Sequence, residues 1–167
     1  MPGPIWLQGP IVGVPALLQP VAHALIEADE DIQALVPSMS PEAVWRRPQG
    51  AASVGYHVRH AEGSLDRLFT YARGEALSEA QLAALKAEQT MDASAGAPQA
   101  LAASFSAAVK RALAQLRATS DGDVLASREV GRSKAPSNVI GILMHAADHT
   151  YRHVGQAITT AKIVSGA

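Results

Sequence analysis

An all-α domain built as a four-helix bundle is what this sequence predicts, and three observations lead there. Hydrophobic residues make up 48% of the 167 residues while aromatic ones reach only 4%, so Ala, Leu and Val must supply the packing. Ala and Leu favour helix, whereas the β-branched and aromatic runs that strands prefer are scarce. Four long stretches also repeat their apolar residues at helical rather than alternating spacing. A chain of this length is expected to form one domain over 1–167, with room for a sizeable core.

Residues 1–13 read as an irregular lead-in, broken repeatedly by proline. From Val14 to Val36, Leu17, Leu18, Val21, Leu25, Ile32 and Leu35 recur at helical spacing, and Pro37 closes this first long helix. Pro15 and Pro20 suit only a first turn, because a proline deeper inside removes a backbone hydrogen bond and clashes with the preceding turn. Ser40-Pro41-Glu42 joins a cap to a proline at the first helical position, so a short turn or helix is expected, with Trp45 as its anchor. Pro48 and Gly50 mark a loop. Ser53 then caps a second long helix to about Ala72, stopped by Gly74. Ser78-Glu79-Ala80-Gln81 matches a capping box and opens a shorter helix to about Gln89. After the connector MDASAGAP, Pro98 opens a third long helix through Leu101, Phe105, Val109, Leu113 and Leu116. DGDVLASREVGRSKAPS carries turn signals at both ends around VLASREV, so a short hairpin or lid is expected before the last helix. Ser137 is the expected cap of that helix, which runs from Asn138 to about Val164.

Composition excludes several classes of function. A net charge of -1, without aromatic and basic residues interleaved, argues against a nucleic-acid binder. The absence of cysteine excludes disulfides, thiolate metal sites and a cysteine nucleophile, so any thiol chemistry needs a thiol carried by a substrate or cofactor. The lead-in lacks the basic start and unbroken apolar stretch of a signal peptide. No run approaches the roughly 20 apolar residues of a membrane span. A cytoplasmic protein without a membrane partner is the resulting expectation.

The chemistry concentrates in HAADHTYRHVGQ, residues 145–156, where His145, His149 and His153 fall at four-residue intervals. Residues four apart on a helix differ by about 40° and share a side, so a pair of them can converge on one ion. The apolar stripe Val139, Leu143, Val154, Ala157, Ile158 and Ala161 decides which pair. His153 lies roughly 80° from its centre, His149 about 120° and His145 about 160°. The first two flank the core, and His145 leans away towards the face carrying Arg152. An HxxxH spacing also arises by chance, and a pair alone is half a site. No glutamate sits between the two, as zinc peptidases require, and no Glu-x-x-His appears for a di-iron bundle. A third ligand should come from the second long helix, which offers His57 and His60. Its stripe of Val54, Val58, Ala61, Leu65 and Leu68 places His57 nearer the core centre, so periodicity alone slightly prefers His57 over His60 as the third ligand.

SVGYHVRHAEGSLDRLF, followed far downstream by HTYRHVGQ, resembles the DinB/YfiT-like family of metal-dependent four-helix bundles. That family shares one histidine in its second helix and an HxxxH pair in its last, commonly followed by Gly-Gln, here Gly155-Gln156. The likeness extends to the order of helices and to the loop SPEAVWRRPQGAASVG, so it spans essentially the whole chain. It implies His60, His149 and His153 as metal ligands, with His57, Gln156 and Asp148 as cavity residues or partners of the ligands. Val154 stands where members often carry Arg, which removes a positive charge near the site.

Three neutral imidazoles would leave a divalent ion such as Zn, Ni or Fe with an open position, the arrangement of catalytic rather than structural sites. Relatives implied by the resemblance include thiol-dependent S-transferases and mycothiol-dependent isomerases, in which the metal activates a low-molecular-weight thiol. The expected function is therefore that of a metal-dependent enzyme activating a thiol or water against a small-molecule substrate. Arg128, Arg132 and Lys134 are candidates to receive an anionic substrate at the cavity mouth, and Glu62 or Asp148 to orient the ligand rings. The competing expectation is a metal-binding or stress-related bundle without turnover. The resemblance also implies a homodimer, for which Ile5, Trp6 and Leu7 or the Ala-rich third helix offer a surface.

Overall fold

The computed structural model describes residues 3–88 and 97–166. Four long helices form the bundle: α1 (Gln19–Leu35), α3 (Val54–Ala72), α5 (Pro98–Ala118) and α6 (Val139–Ser165). Two short helices, α2 (Pro41–Trp45) and α4 (Glu79–Ala87), flank α3, and an antiparallel pair of strands, β1 (Ser127–Val130) and β2 (Ala135–Asn138), precedes α6. Each of α1 and α3 packs against both α5 and α6, which gives the cyclic order α1, α6, α3, α5. The α3–α6 contact is the most extensive.

The first long helix starts at Gln19, later than the Val14 expected from periodicity. Pro20 supplies the reason, because its ring clashes with the carbonyl four residues back and lacks an N–H. The α-helix can therefore begin only just before it, and Ala16–Leu18 winds as a 3-10 turn. The Gln19 side chain fastens the lead-in by accepting from Ile11 N (2.7 Å) and donating to Ile11 O and Val14 O. At the other end Val36–Ser38 tightens into a 3-10 turn containing Pro37.

Ser40 caps α2 by accepting from Ala43 N, and Ser53 caps α3 by accepting from Tyr56 N. Trp45 anchors α2 on Gly55, where a Cβ would fall 2.4 Å from the indole. The capping box of α4 is formed in full by Ser78 and Gln81. Gln89 and the connector, except Ala97 and Pro98, lie outside the described residues.

The hairpin expected before the last helix is present, with Ser127 opposite Asn138 and Val130 opposite Ala135. Its register corrects the cap of α6 by one residue. Ser137 is still a strand residue opposite Arg128, and Asn138 turns its side chain to accept from Gly141 N at 2.8 Å. The next two N–H groups, of Val139 and Ile140, donate back to Ala126 O and Val124 O. The segment just before β1 thus satisfies donors that the first helical turn leaves unpaired.

Leu18, Leu25, Ile32, Leu65, Phe105, Leu116 and Leu143 are the largest of the fully buried side chains, with Trp45 and Phe69 beside them in the core. Between them the helices bury alanines, among them Ala61, Ala146, Ala147, Ala157 and Ala161. Small side chains on α3 and α6 let the two backbones approach closely, which brings their histidines into one space. No described helix is long and apolar enough to cross a membrane.

Candidate metal centre

α3 presents His57 and His60 one turn apart, and α6 presents His149 and His153 one turn apart. His60, His149 and His153 come together, each offering a ring nitrogen within 4.8 Å of the other two. His60 Nε2 and His149 Nε2 are 3.0 Å apart. Ring centroids lie at 4.5 Å for His60 and His153, and at 4.6 Å for His149 and His153. His57 is more buried than His60, as the apolar stripe implies. Its Nδ1 faces Nδ1 of His153 at 3.0 Å. His145 is exposed.

The other nitrogen of His60 is held from outside the triad. Nδ1 meets Oε2 of Glu88 at 2.8 Å, and the same carboxylate accepts from Arg67 Nη1 through Oε1 at 2.6 Å. With Nδ1–H donating to a carboxylate, Nε2 of His60 is left bare and points at His149. The contact with His57 does the same at His153 when Nδ1 of His153 carries the proton, freeing its Nε2. Tyr56 lies parallel to the His60 ring, 5.6 Å between centroids, and Ser64 Oγ is 3.4 Å from His60 Nε2. The His60 side chain remains 21% exposed, so this edge of the triad is open to solvent.

Electrostatics favour neutral rings. Burial, then the neighbouring His60, lowers the pKa of His57. His149 is lowered by burial first, then by His60, His145 and Arg152, with Asp148 opposing. His153 is pushed down to about 4, chiefly by burial and then by His60, His149 and His57. For Glu88 burial is the largest influence and raises the pKa. The bonds from His60 and Arg67 outweigh it together and hold the carboxyl below its ordinary value.

This donor set fits a divalent transition ion. Imidazole nitrogens suit Zn, Ni, Fe or Cu, and two nitrogens of a tetrahedral zinc shell stand about 3.3 Å apart at bonds of roughly 2.0–2.1 Å. The 3.0 Å between Nε2 of His60 and Nε2 of His149 lies close to that, and a nitrogen of His153 stands within 4.8 Å of both.

The remaining candidates sit elsewhere. Asp148 is exposed and accepts from Arg152 at 2.6 Å, Glu62 accepts from Ser104, and Gln156 is exposed. Arg128 donates to Ala72 O and Ser127 O, which ties β1 to the far end of α3. Arg132 is exposed in the hairpin turn beside Lys134, which pairs with Glu129. A cavity of about 510 Å³ opens between α3, α4 and α5; among the described residues none of the histidines lines it, while Glu88 and Gly63 do. Glu88 and Arg67, which meet at His60, carry no mark of that role in the sequence. No periodic signal marks Glu88, which follows the last residue of α4 and lies 28 residues from its histidine.

A family model described as the DinB superfamily matches residues 24–157, a span that includes all three histidines. The chain belongs to the DinB superfamily. Two solved structures share the fold of this DinB chain. One is a conserved protein from Enterococcus faecalis, 18% identical, covering 90% of this chain and 98% of that one, with a TM-score of 0.69. Another is a DinB-like protein from Bacillus cereus, 15% identical, covering 87% and 91%, with a TM-score of 0.63. No curated protein matches the chain. At these identities the likeness establishes the DinB bundle and leaves the chemistry to the site itself.

Proposed function

We propose that this DinB-superfamily chain is a metal-dependent enzyme in which His60, His149 and His153 hold a divalent transition ion and a thiol or water acts as nucleophile on a small-molecule substrate. The observation that carries this reading is the convergence of three imidazoles from two helices with no carboxylate among them. When bound, such an ion supplies Lewis acidity and an effective nucleophile at neutral pH. The chain's own residues prepare for that. Burial keeps His149 and His153 neutral, so their lone pairs are available. Glu88 and His57 each occupy the second nitrogen of a ligand ring. The absence of cysteine leaves a thiol, if used, to come from a small cosubstrate, as in a thiol S-transferase; with water the enzyme is a hydrolase.

Metal analysis of protein purified under metal-replete conditions, alongside His60→Ala, His149→Ala and His153→Ala, tests the centre. We expect about one ion per chain in the wild type and no retained ion in any of the variants, since two imidazoles fall short of the three protein ligands such a site needs. A wild type without transition metal would sink the reading. Screening low-molecular-weight thiols against electrophilic acceptors separates enzyme from binding module. Turnover lost in all three variants supports the enzyme, and thiol binding without turnover supports the module.

A further inference from the structure

Glu88 reaches the centre from an element that barely joins the bundle. None of the nine residues of α4 is buried, and its side chains hold α3 by polar bonds, with Gln81 Nε2 donating to Asp66 Oδ2 and Thr70 Oγ1. Glu88, which caps the C-terminus of α4, is by contrast only 8% exposed. Its Oε2 meets His60, and Arg67 donates to both oxygens, to Oε1 from Nη1 and to Oε2 from Nη2; Arg67 is itself buried and also within reach of Ser64 Oγ.

This seat exists because residue 63 is glycine. A Cβ at Gly63 would stand 2.4 Å from Glu88 Oε1 and 2.8 Å from Arg67 Nη1. Gly63 lies in the middle of α3 and its backbone is not left-handed, so no turn requires it. Glycine inside a helix is otherwise a cost relative to alanine. The room it leaves is taken up by the carboxylate and the guanidinium, whose ends would have to shift to admit a Cβ.

We propose that Glu88, seated by Gly63 and aimed by Arg67, is a positioning residue that acts through His60 and thereby lets α4 set the metal affinity of the centre. The inference rests on the three-histidine reading above. An imidazole whose Nδ1–H is committed to a carboxylate is fixed in tautomer and orientation, and its Nε2 is a better donor. Released from Glu88, the His60 ring would divide its time among rotamers and tautomers, and part of each binding event would be spent in ordering it.

Zn²⁺ affinity of the full chain, measured by competition with a chromogenic chelator, and the absorption spectrum of the Co²⁺ form test this. Glu88→Ala should bind Zn²⁺ about 10–100-fold more weakly than the wild type and alter the Co²⁺ spectrum. Glu88→Gln, which retains an acceptor for Nδ1–H, should recover part of the loss. Gly63→Ala should weaken Zn²⁺ in the same direction while its metal-free form still unfolds cooperatively, since alanine is the better helix former. A merely structural role would lower stability and leave Zn²⁺ affinity alone. Should Glu88→Ala fail to fold, Gly63→Ala carries the test, because it displaces the carboxylate without removing it. Affinities of both variants within about twofold of wild type, well inside the loss expected for such a partner, would overturn this inference. If His60→Ala then abolishes binding, the metal centre stands. A wild type that binds no Zn²⁺ overturns both.

Discussion

Imidazole ligates metal only in its neutral form, and burial with mutual proximity favours that form at His57, His149 and His153. The consequence is a pH dependence with a defined sign. In the unfolded chain a histidine takes up its proton near 6.5, whereas His153 in the folded chain does so only at about 4, and His57 and His149 are lowered in the same direction. Between those values the unfolded state binds more protons, so stability is fully present above 6.5 and is lost as pH falls towards 4. Thermal melts of metal-free protein should show the melting temperature dropping across this window, and His153→Ala should flatten the slope. A melting temperature independent of pH there would contradict the burial of these rings. The HxxxH spacing and the turn of His145 towards solvent were legible in the sequence, because both follow from rotation about a single helix. Glu88 was not, because its meeting with His60 depends on where α4 docks.

Element boundaries repeat the contrast. The caps at Ser40, Ser53 and Ser78 were legible because cap chemistry is local, a side-chain oxygen meeting an N–H three residues ahead. At α6 the strand before it overrode that logic. Ser137 is held in the ladder opposite Arg128, and the cap passes to Asn138. Asn138→Ala should therefore cost about 1 kcal/mol of unfolding free energy in urea. Ser137→Ala should stay within roughly 0.5 kcal/mol of wild type, as surface changes do. The reverse order would show that the cap is Ser137 after all. The start of α1 makes the same point from the other side. Apolar periodicity continues back through Leu17 and Leu18, yet the helix cannot, because Pro20 permits no turn of α-helix before it.

For the molecule as a whole, the α3–α6 contact joins stability to the centre. His60 lies on one of these helices, His149 and His153 on the other, so an ion held by all three would tie together elements that separate on unfolding. Metal that binds only the folded chain should stabilise it by about 2.7 kcal/mol at a free concentration 100 times its dissociation constant. A chelator should remove that increment, read as a fall in melting temperature, and His149→Ala should be indifferent to either treatment. Equal melting temperatures with and without metal in the wild type would argue against a shared ion. The amino-acid order alone determined the all-α class, the four long amphipathic helices, the hairpin and the face on which each histidine sits, because periodicity and capping act within a few residues of chain. Only tertiary packing decided that α3 lies against α6, that His57 turns to His153, and that Glu88 rather than Asp148 or Glu62 meets a ligand ring. Those are contacts between residues far apart in sequence, and no local rule of helix geometry specifies the distance between two helices or the direction from which a third approaches them.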